Sequence, residues 1–572
     1  MKLSLDQSLA GILVPVFAIR TETDLGIGDT DGVRQMIDWC HKYGLNIFQT
    51  LPINETGPDN SPYNAISSMA IDPATIAVLP SALPDLTQAH INQNLRSGPL
   101  WRLRGGNIEY AKARAVKRTL LEVAFESFLT WPADPERASQ FHQFQADHKG
   151  WLEDYALFRV LMEENGNQPA WERWLPAHQT PDRARDWLLS LPHRHLENCQ
   201  RKQIFFMYVQ WLAFQQWQAL KRYGESKQVC LMGDIPYGVA RNSADVWANR
   251  DLFDLDWSGG APPEKFFKTD PFTEKWGQNW GVPNYRWDEF RRRDFAWWRT
   301  RFGNIRKIFH FCRIDHAPGF FRIYSFPWTP DRNGEFLPLD EKKAAERTAG
   351  RLPGFKPFPD DTVEHKEFNQ QQGEEIFRVM LEASGDTVIV AEDLGVVPDY
   401  LPPTLHRLGI PGFRIPSFYR AADGRYADPA GYPRLSLAQP ATHDHPSLAA
   451  TWREHWRNIA ARRNVAAHRH EMRRLMEFAG INRKNPPRWF NAELRGAYLR
   501  TLLHSNSWLV VVMITDVFGQ RLRFNTPGTC SKDNWTVRLP QTVREMNQNP
   551  VFLTRAKTYA RLARESGRGM PR

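Results

Sequence analysis

Carboxylates stand at the ends of five short apolar runs of this sequence. They are Asp234 in VCLMGD, Asp315 in FHFCRID, Glu392 in TVIVAE, Asp444 after AQPATH and Asp516 after WLVVVMIT. Carboxylates crowded together raise one another's pKa, so one can keep its proton near neutral pH while another stays ionised. Glycoside chemistry uses such a pair, in which one carboxylate attacks the sugar and the other protonates the leaving oxygen. These residue types therefore indicate glycoside chemistry, provided that the fold brings them together.

Each acid also has a structural explanation. An Asp or Glu at a strand end often caps the next helix, and Arg313 could form an ion pair with Asp315 because they share one face of a strand. Four histidines could ligate a metal, namely His310, His316, His443 and His445. Their spacing fits no closed zinc set, so we expect no metal. The absence of GxSxG, Walker and GxGxxG motifs argues against a serine nucleophile and phosphate binding, and no organic cofactor is expected.

The acids can meet only if their strands are parallel. Eight apolar runs could be buried strands: 11–17, 45–51, 229–234, 309–315, 387–392, 411–415, 438–443 and 508–515. Helix-like segments at 31–43, 201–223, 294–308 and 367–384 separate them. Buried apolar strands that alternate with helices predict an α/β fold with a parallel sheet, and eight units predict a (β/α)8 TIM barrel. The carboxyl ends of all strands in such a barrel face one mouth, which carries the active site.

Large insertions interrupt the predicted barrel. We expect residues 1–572 to form a single catalytic barrel with a mainly helical insertion at 85–200, because 106–128 and 154–164 have helical periodicity. A second insertion, 235–293, is dense in Trp, Pro and Asn, and a third, 326–366, is rich in Pro, Gly and charge. Long segments after barrel strands usually carry function, so we expect active-site loops there.

Composition narrows the class of protein. The chain of 572 residues is 42% hydrophobic and 24% charged, as in globular proteins. No apolar run approaches the roughly eighteen residues of a membrane span, and the start has no cleavage pattern for export. The five cysteines, Cys40, Cys199, Cys230, Cys312 and Cys530, are scattered. We expect buried thiols and a soluble, cytoplasmic protein that is a monomer or homodimer.

A net charge of +10 raises the alternative of a nucleic-acid partner. The strongest basic stretch, 453–475, has helical spacing, and basic residues elsewhere are spread along the chain. A solvated helix face explains this stretch, so no nucleic-acid partner is expected. The 22 tryptophans are more informative, because their flat apolar faces suit both core packing and sugar rings.

An ordered set of motifs resembles the amylomaltases, which are 4-alpha-glucanotransferases (disproportionating enzymes) of glycoside hydrolase family 77. The motifs are DLGIGD, SPYNAISSMAIDP, GDIPYGVARNSADVWANRDLF, APPEKFFKTDPFTEKWGQNWGVPNYRW, RIDHAPGFF, VIVAEDLG, ATHDH and RFNTPGT. The likeness spans about residues 10–540. It implies transfer of alpha-1,4-glucan segments between malto-oligosaccharides, by a retaining double displacement through a covalent glycosyl-Asp intermediate.

The resemblance also implies roles for individual residues. Asp315 would be the nucleophile, Glu392 the general acid/base and Asp444 the stabiliser of the transition state. Ten further residues would bind substrate: Ser61, Tyr63, Asp234, Gln278, Trp280, Arg313, His316, His443, Asn525 and Pro527. Arg313 would keep Asp315 ionised, and Tyr63 would stack on a glucose ring.

Three departures from the family pattern stand near these residues. Many members have RIDHFRG and THDND where this chain has Ala317-Pro318 and His445-Pro446, and Glu264 replaces the usual Asp of APPDKF. An additional methylene at Glu264 would shift a charge by about a bond length, and small misplacements are costly in catalysis. An alpha-glucan hydrolase and a non-catalytic glucan-binding protein on the same barrel remain alternatives to the transferase.

Overall fold

The computed structural model describes residues 3–95, 100–130, 135–263, 270–528 and 531–570. Its strands are β1 (Leu9–Leu13), β2 (Ile47–Gln49), β3 (Cys230–Ile235), β4 (Phe253–Ala261), β5 (Gln278–Tyr285), β6 (Phe311–Ile314), β7 (Ile323–Phe326), β8 (Gly354–Lys356), β9 (Val388–Ala391), β10 (Gly412–Arg414), β11 (Ser436–Ala438) and β12 (Leu509–Met513).

Helices connect and cover these strands. They are α1 (Thr30–Lys42), α2 (Gln88–Asn94), α3 (Leu100–Arg104), α4 (Tyr110–Thr130), α5 (Pro135–Glu164), α6 (Pro181–Leu189), α7 (His193–Ser226), α8 (Ala244–Ala248), α9 (Pro271–Trp276), α10 (Trp287–Arg292), α11 (Ala296–Ile305), α12 (Asn333–Phe336), α13 (Glu341–Arg347), α14 (Val363–Ser384), α15 (Leu401–Arg407), α16 (Leu448–Ala460), α17 (Val465–Phe478), α18 (Ala492–Leu503), α19 (Ile514–Val517), α20 (Val543–Gln548) and α21 (Pro550–Glu565).

Eight of the strands close into a parallel barrel in the order β1-β12-β11-β10-β9-β6-β3-β2. Each of the eight predicted runs overlaps one of these strands, so the predicted (β/α)8 barrel is confirmed. The runs form strands because β-branched and other apolar residues fit a surface that is buried on both faces, as in LVVVM of β12, which is buried throughout.

The first and seventh strands differ most from the prediction. The first strand ends at Leu13 rather than 17, and the seventh is Ser436–Ala438 rather than 438–443. Pro15 and Pro440 follow these ends, and proline has no N–H to donate to a neighbouring strand. His443 and Asp444 therefore lie on a loop beyond β11, not at the strand end.

Helices α2 to α7 fill the long connection between β2 and β3. Lys117 of α4 is buried, and its Nζ contacts Asp29 Oδ2 at 3.0 Å, while Asp29 also caps the N-terminus of α1. On α5, Arg159 Nη1 donates to Glu55 Oε1 at 2.6 Å. These two contacts, of which the first is fully buried, fix the inserted helices against the barrel.

The protein also has a second, antiparallel sheet of order β5-β4-β7-β8. Strands β4 and β5 lie in the expected insertion 235–293 and β8 lies in 326–366, whereas β7 begins before that third segment. The sequence pattern did not predict this sheet, because β4 (FDLDWSGGA) and β5 (QNWGVPNY) contain Gly and Pro, and their pairing has register shifts. A small separate core supports it, with Trp276, Phe326, Trp328 and Phe336 buried together.

Two expectations about the chain as a whole can be compared with the described residues. Cys40, Cys199, Cys230 and Cys312 are buried free thiols, whereas Cys530 lies outside the described residues. Among the helices in the described ranges, none is both long enough and apolar enough to cross a membrane.

Candidate active site

Arg313 joins three of the carboxylates at the barrel mouth. Its Nη1 donates to both side-chain oxygens of Asp234 at 2.7 Å, and its Nη2 donates to Asp315 Oδ1 at 2.8 Å. Glu392 Oε2 lies 3.5 Å from the same Nη2. The guanidinium is buried and stands over the ring of Phe413, 5.8 Å from its centroid. Two carboxylates, Asp315 and Glu392, thus flank one nitrogen.

Strand register explains why these side chains meet. Asp234 on β3 pairs directly with Arg313 on β6, and Arg313 pairs with Val390 on β9, two residues before Glu392. Residues two apart on a strand point to the same side. The parallel alignment of three neighbouring strands therefore brings their carboxylates to one face.

Glu392 is held by the turn that follows β6. His316 adopts φ of 41°, and its backbone N–H donates to Glu392 Oε2 at 2.7 Å. The backbone of Glu392 is held on both sides, since its N–H donates to Ile314 O and its carbonyl accepts from Ala317 N. Because Oε2 already accepts this bond, a proton on Glu392 belongs on Oε1.

The environment of Glu392 favours its protonated form. Burial raises its pKa to about 8, and the negative charge of Asp315 acts in the same direction, although Arg313 and the His316 N–H oppose it. Glu392 therefore carries a proton at neutral pH. Burial lowers the pKa of His316 to about 4, so its imidazole is neutral there.

Not every strand-end acid faces the mouth. Asp393, the neighbour of Glu392, accepts from the Phe413 N–H at 2.6 Å and pairs with Arg414. Asp516 is buried and accepts from the Leu448 N–H at the start of α16. Neither acid caps the helix that follows its strand; each instead accepts a backbone N–H from another element.

Asp444 lies on the loop after β11, beside His443 and Asn525. Its Oδ1 accepts from Asn525 Nδ2 at 2.6 Å and is 3.3 Å from His443 Nε2. Burial acts to raise the pKa of Asp444, but His443 and the Asn525 hydrogen bond outweigh it, and the pKa lies below its usual value. The pKa values of Asp444 and Glu392 are thus shifted in opposite directions.

Tyr63 links the Asp444 side of the site to Arg313. Its ring stacks on His443 with centroids 5.0 Å apart and 8° between the planes. Its hydroxyl donates to Asp234 Oδ2 at 2.7 Å. Ser61 Oγ accepts from the Tyr63 N–H at 3.3 Å, which fixes the loop that carries the ring.

The small sheet contributes Gln278 and Trp280 to the same region. Trp280 is 38% exposed, and its ring lies edge-to-face with the ring of His316, with the two centroids 4.9 Å apart. Its Nε1 donates to Gln278 Oε1 at 3.2 Å. A cavity of about 550 Å³ opens beside Trp280, with Asn64, Arg241 and other polar residues in its wall. Pro527 is half-buried on the loop that carries Asn525.

Two of the three family departures can be located. Ala317 and Pro318 are buried and form the first turn of a short 3-10 helix directly after His316, where proline is well tolerated. His445 Nδ1 lies 2.8 Å from Thr442 Oγ1, and its ring packs on Phe418 at 5.2 Å. Glu264 lies outside the described residues.

Sequence reasoning missed two residues that support this site. Trp535 packs against both Tyr63 and His443, with ring centroids 5.9 Å from each. Arg523 Nη2 donates to the Asp444 backbone carbonyl at 2.7 Å. Arg523 stands within the RFNTPGT motif and could have been found from it, whereas no local pattern marks Trp535.

The arrangement can perform acid-assisted substitution at a sugar carbon. Asp315 has one side-chain oxygen that Arg313 does not occupy, and Glu392 beside it is protonated. Asp444 is held by the side-chain amide of Asn525. An exposed aromatic face stands next to them.

Known proteins resemble this chain over most of its length. The family model described as 4-alpha-glucanotransferase (glycoside hydrolase family 77) matches residues 14–543. A 4-alpha-glucanotransferase of Chlamydia caviae is 30% identical, over 95% of this chain and 92% of that protein, and one of Chlamydia pneumoniae is 28% identical over 94% and 92%. The fold is similar to that of amylomaltase from Streptococcus agalactiae, solved in complex with acarbose, with a TM-score of 0.75, 23% identity and coverage of 98% and 100%.

Proposed function

This chain belongs to the 4-alpha-glucanotransferase family, and we propose that it moves alpha-1,4-glucan segments between malto-oligosaccharides through a covalent ester on Asp315. The observation that carries the proposal is the placement of Asp315 and Glu392 on one nitrogen of Arg313, at 2.8 and 3.5 Å. Asp315 Oδ1 and Glu392 Oε2 can be no farther apart than these two contacts laid end to end. The separation of about 5–5.5 Å that retaining glycosidases use falls within that bound.

In the first step Glu392 donates its proton to the glycosidic oxygen, and Asp315 attacks the anomeric carbon. Arg313 occupies Asp315 Oδ1, so Oδ2 is the attacking oxygen. The bond from carbon to Asp315 forms as the bond to the leaving oxygen breaks, and the reducing-end fragment departs with the proton. The configuration at the anomeric carbon is inverted.

In the second step the acceptor sugar reverses this sequence. Ionised Glu392 takes the proton from the acceptor 4-hydroxyl, and that oxygen displaces Asp315 from the anomeric carbon. Two inversions retain the alpha configuration. Glu392 ends the cycle protonated, as its raised pKa favours.

The remaining residues are proposed to hold the substrate. Asp444, ionised and oriented by Asn525, accepts hydrogen bonds from sugar hydroxyls and stabilises positive charge at the reacting carbon. Trp280, 38% exposed, offers a ring face for a sugar near the cleavage point, with Gln278 and His316 beside it. Tyr63 and Ser61 would line the donor side, and Pro527 would contact the substrate elsewhere.

Transfer and hydrolysis differ only in what attacks the ester. An oriented sugar has a large effective concentration and can outcompete water. Incubation with maltotriose, followed by chromatography of the products, tests this. A transferase gives glucose together with maltopentaose and longer oligomers.

Glucose and maltose without elongation would make the chain a hydrolase, and no change in maltotriose would favour a glucan-binding protein without catalysis. The matched control is Glu392→Gln, which has the same shape and cannot supply the proton. Elongation that persists in this variant at the wild-type rate would contradict the proposed acid.

A cytoplasmic location is also proposed, since the four described cysteines are free thiols. The expectations of a monomer or homodimer and of no nucleic-acid partner stay predictions.

A further inference from the structure

Three side chains with metal-binding atoms meet where the end of α5 packs beside the start of α7. Glu164 is the last residue of α5, and His195 and Cys199 lie four residues apart on α7. An oxygen of Glu164, a ring nitrogen of His195 and Sγ of Cys199 all lie within 4.8 Å of one another. Within the described ranges no other group of three such residues is this compact. We propose that Glu164, His195 and Cys199 bind a zinc ion on the helical insertion.

The geometry suits a tetrahedral ion. Residues four apart share one face of a helix, so His195 and Cys199 point the same way. Zinc bonds of about 2.0–2.3 Å place neighbouring ligand atoms about 3.3–3.8 Å apart. Glu164 Oε2 and His195 Nε2 are already 3.4 Å apart. Small side-chain rotations close the remaining distance.

The surroundings leave the ligand atoms available. Lys202 Nζ lies 3.9 Å from Glu164 Oε1 and 3.0 Å from Glu163 Oε2, so Glu164 Oε2 remains directed at His195. Cys199 is buried, whereas Glu164 is exposed and His195 is half-exposed. An ion can therefore enter from the surface, and a water molecule can complete the coordination.

The donor set selects zinc over harder ions. A thiolate, an imidazole and a carboxylate form a mixed set that Zn²⁺ accepts, whereas Mg²⁺ and Ca²⁺ require oxygen ligands. Binding replaces the S–H bond of Cys199 with a Zn–S bond and releases the proton to solvent, without any change in oxidation state. Affinity should therefore increase with pH.

None of the three ligands belongs to the proposed catalytic site. The ion would join the end of α5, which holds Glu55 through Arg159, to α7, which leads into β3. Its expected effect is on thermal stability rather than on glucan transfer, because an ion that binds only the folded chain stabilises it.

The full chain, freed of metal by dialysis against a chelator, should bind one Zn²⁺ per chain, with a raised unfolding temperature. Co²⁺, used as a spectroscopic probe, should give the visible bands of tetrahedral coordination and a thiolate charge-transfer band. Each of Glu164→Gln, His195→Gln and Cys199→Ser should weaken zinc binding at least about tenfold. His193→Gln is the matched control, because His193 pairs with Glu197 at 3.3 Å on the same helix but belongs to no such three-residue group.

Three results in the wild type or the control variant would overturn the site. They are no zinc retained by the wild type, a cobalt spectrum without a thiolate band, and equal loss of affinity in His193→Gln. Should Cys199→Ser fail to fold, Glu164→Gln decides, because it changes one atom at the surface. Unaltered zinc affinity in that variant would also refute the proposal.

Discussion

Glu392 should destabilise the folded protein at neutral and alkaline pH, and Glu392→Gln should remove this cost. The glutamine keeps the size of the side chain, and its carbonyl can accept the His316 N–H that Glu392 Oε2 accepts at 2.7 Å. It cannot ionise. The difference in unfolding free energy between the variant and the wild type therefore isolates the ionisation of Glu392.

The magnitude follows from the shifted pKa. The folded-state pKa is raised from 4.5 to about 8, first by burial and then by the charge of Asp315. Below 4.5 the carboxyl is protonated in both the folded and the unfolded chain, so it contributes no difference. Above that value the unfolded chain ionises first, and the wild type loses stability until the pH passes the folded pKa. At about 1.4 kcal/mol per pKa unit, the gain from Glu392→Gln grows to about 3 kcal/mol at pH 7 and about 5 kcal/mol above pH 8.

Urea unfolding followed by tryptophan fluorescence measures this difference at pH 5, 6, 7 and 8.5. The wild type and the variant are compared at each pH, so the contributions of titrating groups that do not interact with Glu392 cancel. The expected result is nearly equal stability at pH 5 and a steadily widening gap above it. A gap that is the same at pH 5 and pH 8.5 would refute the raised pKa.

Glu346→Gln on α13 serves as a control for the chemical change, since Glu346 is exposed. Its effect on stability should stay within about 0.5 kcal/mol at every pH. A similar widening gap in this control would mean that the effect does not come from the barrel mouth.

Two further predictions concern catalysis and a third concerns stability. Asp315→Asn should leave the circular dichroism spectrum and glucan binding near wild-type values while transfer from maltotriose disappears, and retained turnover would place the nucleophile elsewhere. The rate of transfer should fall as pH rises through about 8, because Glu392 then loses the proton it donates, and an unchanged rate up to pH 10 would contradict this role. Tyr63→Phe removes the 2.7 Å hydrogen bond to buried Asp234 but keeps the ring. The midpoint of urea unfolding should therefore drop by an amount equivalent to about 1–3 kcal/mol. An unaltered midpoint would show that this bond does not stabilise the fold.

Local patterns were sufficient for the barrel but not for the small sheet. Each barrel strand lies in a short, mainly apolar run, and most residues of these strands are buried on both faces of the sheet. Strand β4 pairs with β5 through an irregular register, and it pairs with β7 more than sixty residues further along the chain. No periodicity within β4 reveals such partners, although Trp280 and Gln278 owe their position to this sheet.

The motifs located the candidate residues without showing how they touch. Arg313 was expected to pair with Asp315 because the two share a strand face, and that contact is present at 2.8 Å. Its bidentate bond to Asp234 and the stack of Tyr63 on His443 join residues that are far apart in the sequence. Glu392 and Asp393 are adjacent, so their side chains point to opposite sides of the chain. Which of the two faces the mouth depends on how the strand packs against its neighbours.

The apolar runs alone were enough to predict acids at one mouth of a parallel barrel, because each run forms a buried strand and parallel strands all end on the same side. Tertiary structure alone decided which acid holds a proton. Protonation depends on how much water each carboxyl loses and on which charges lie within a few ångströms. Those quantities arise only when β3, β6 and β9 and the loops beyond them have packed together.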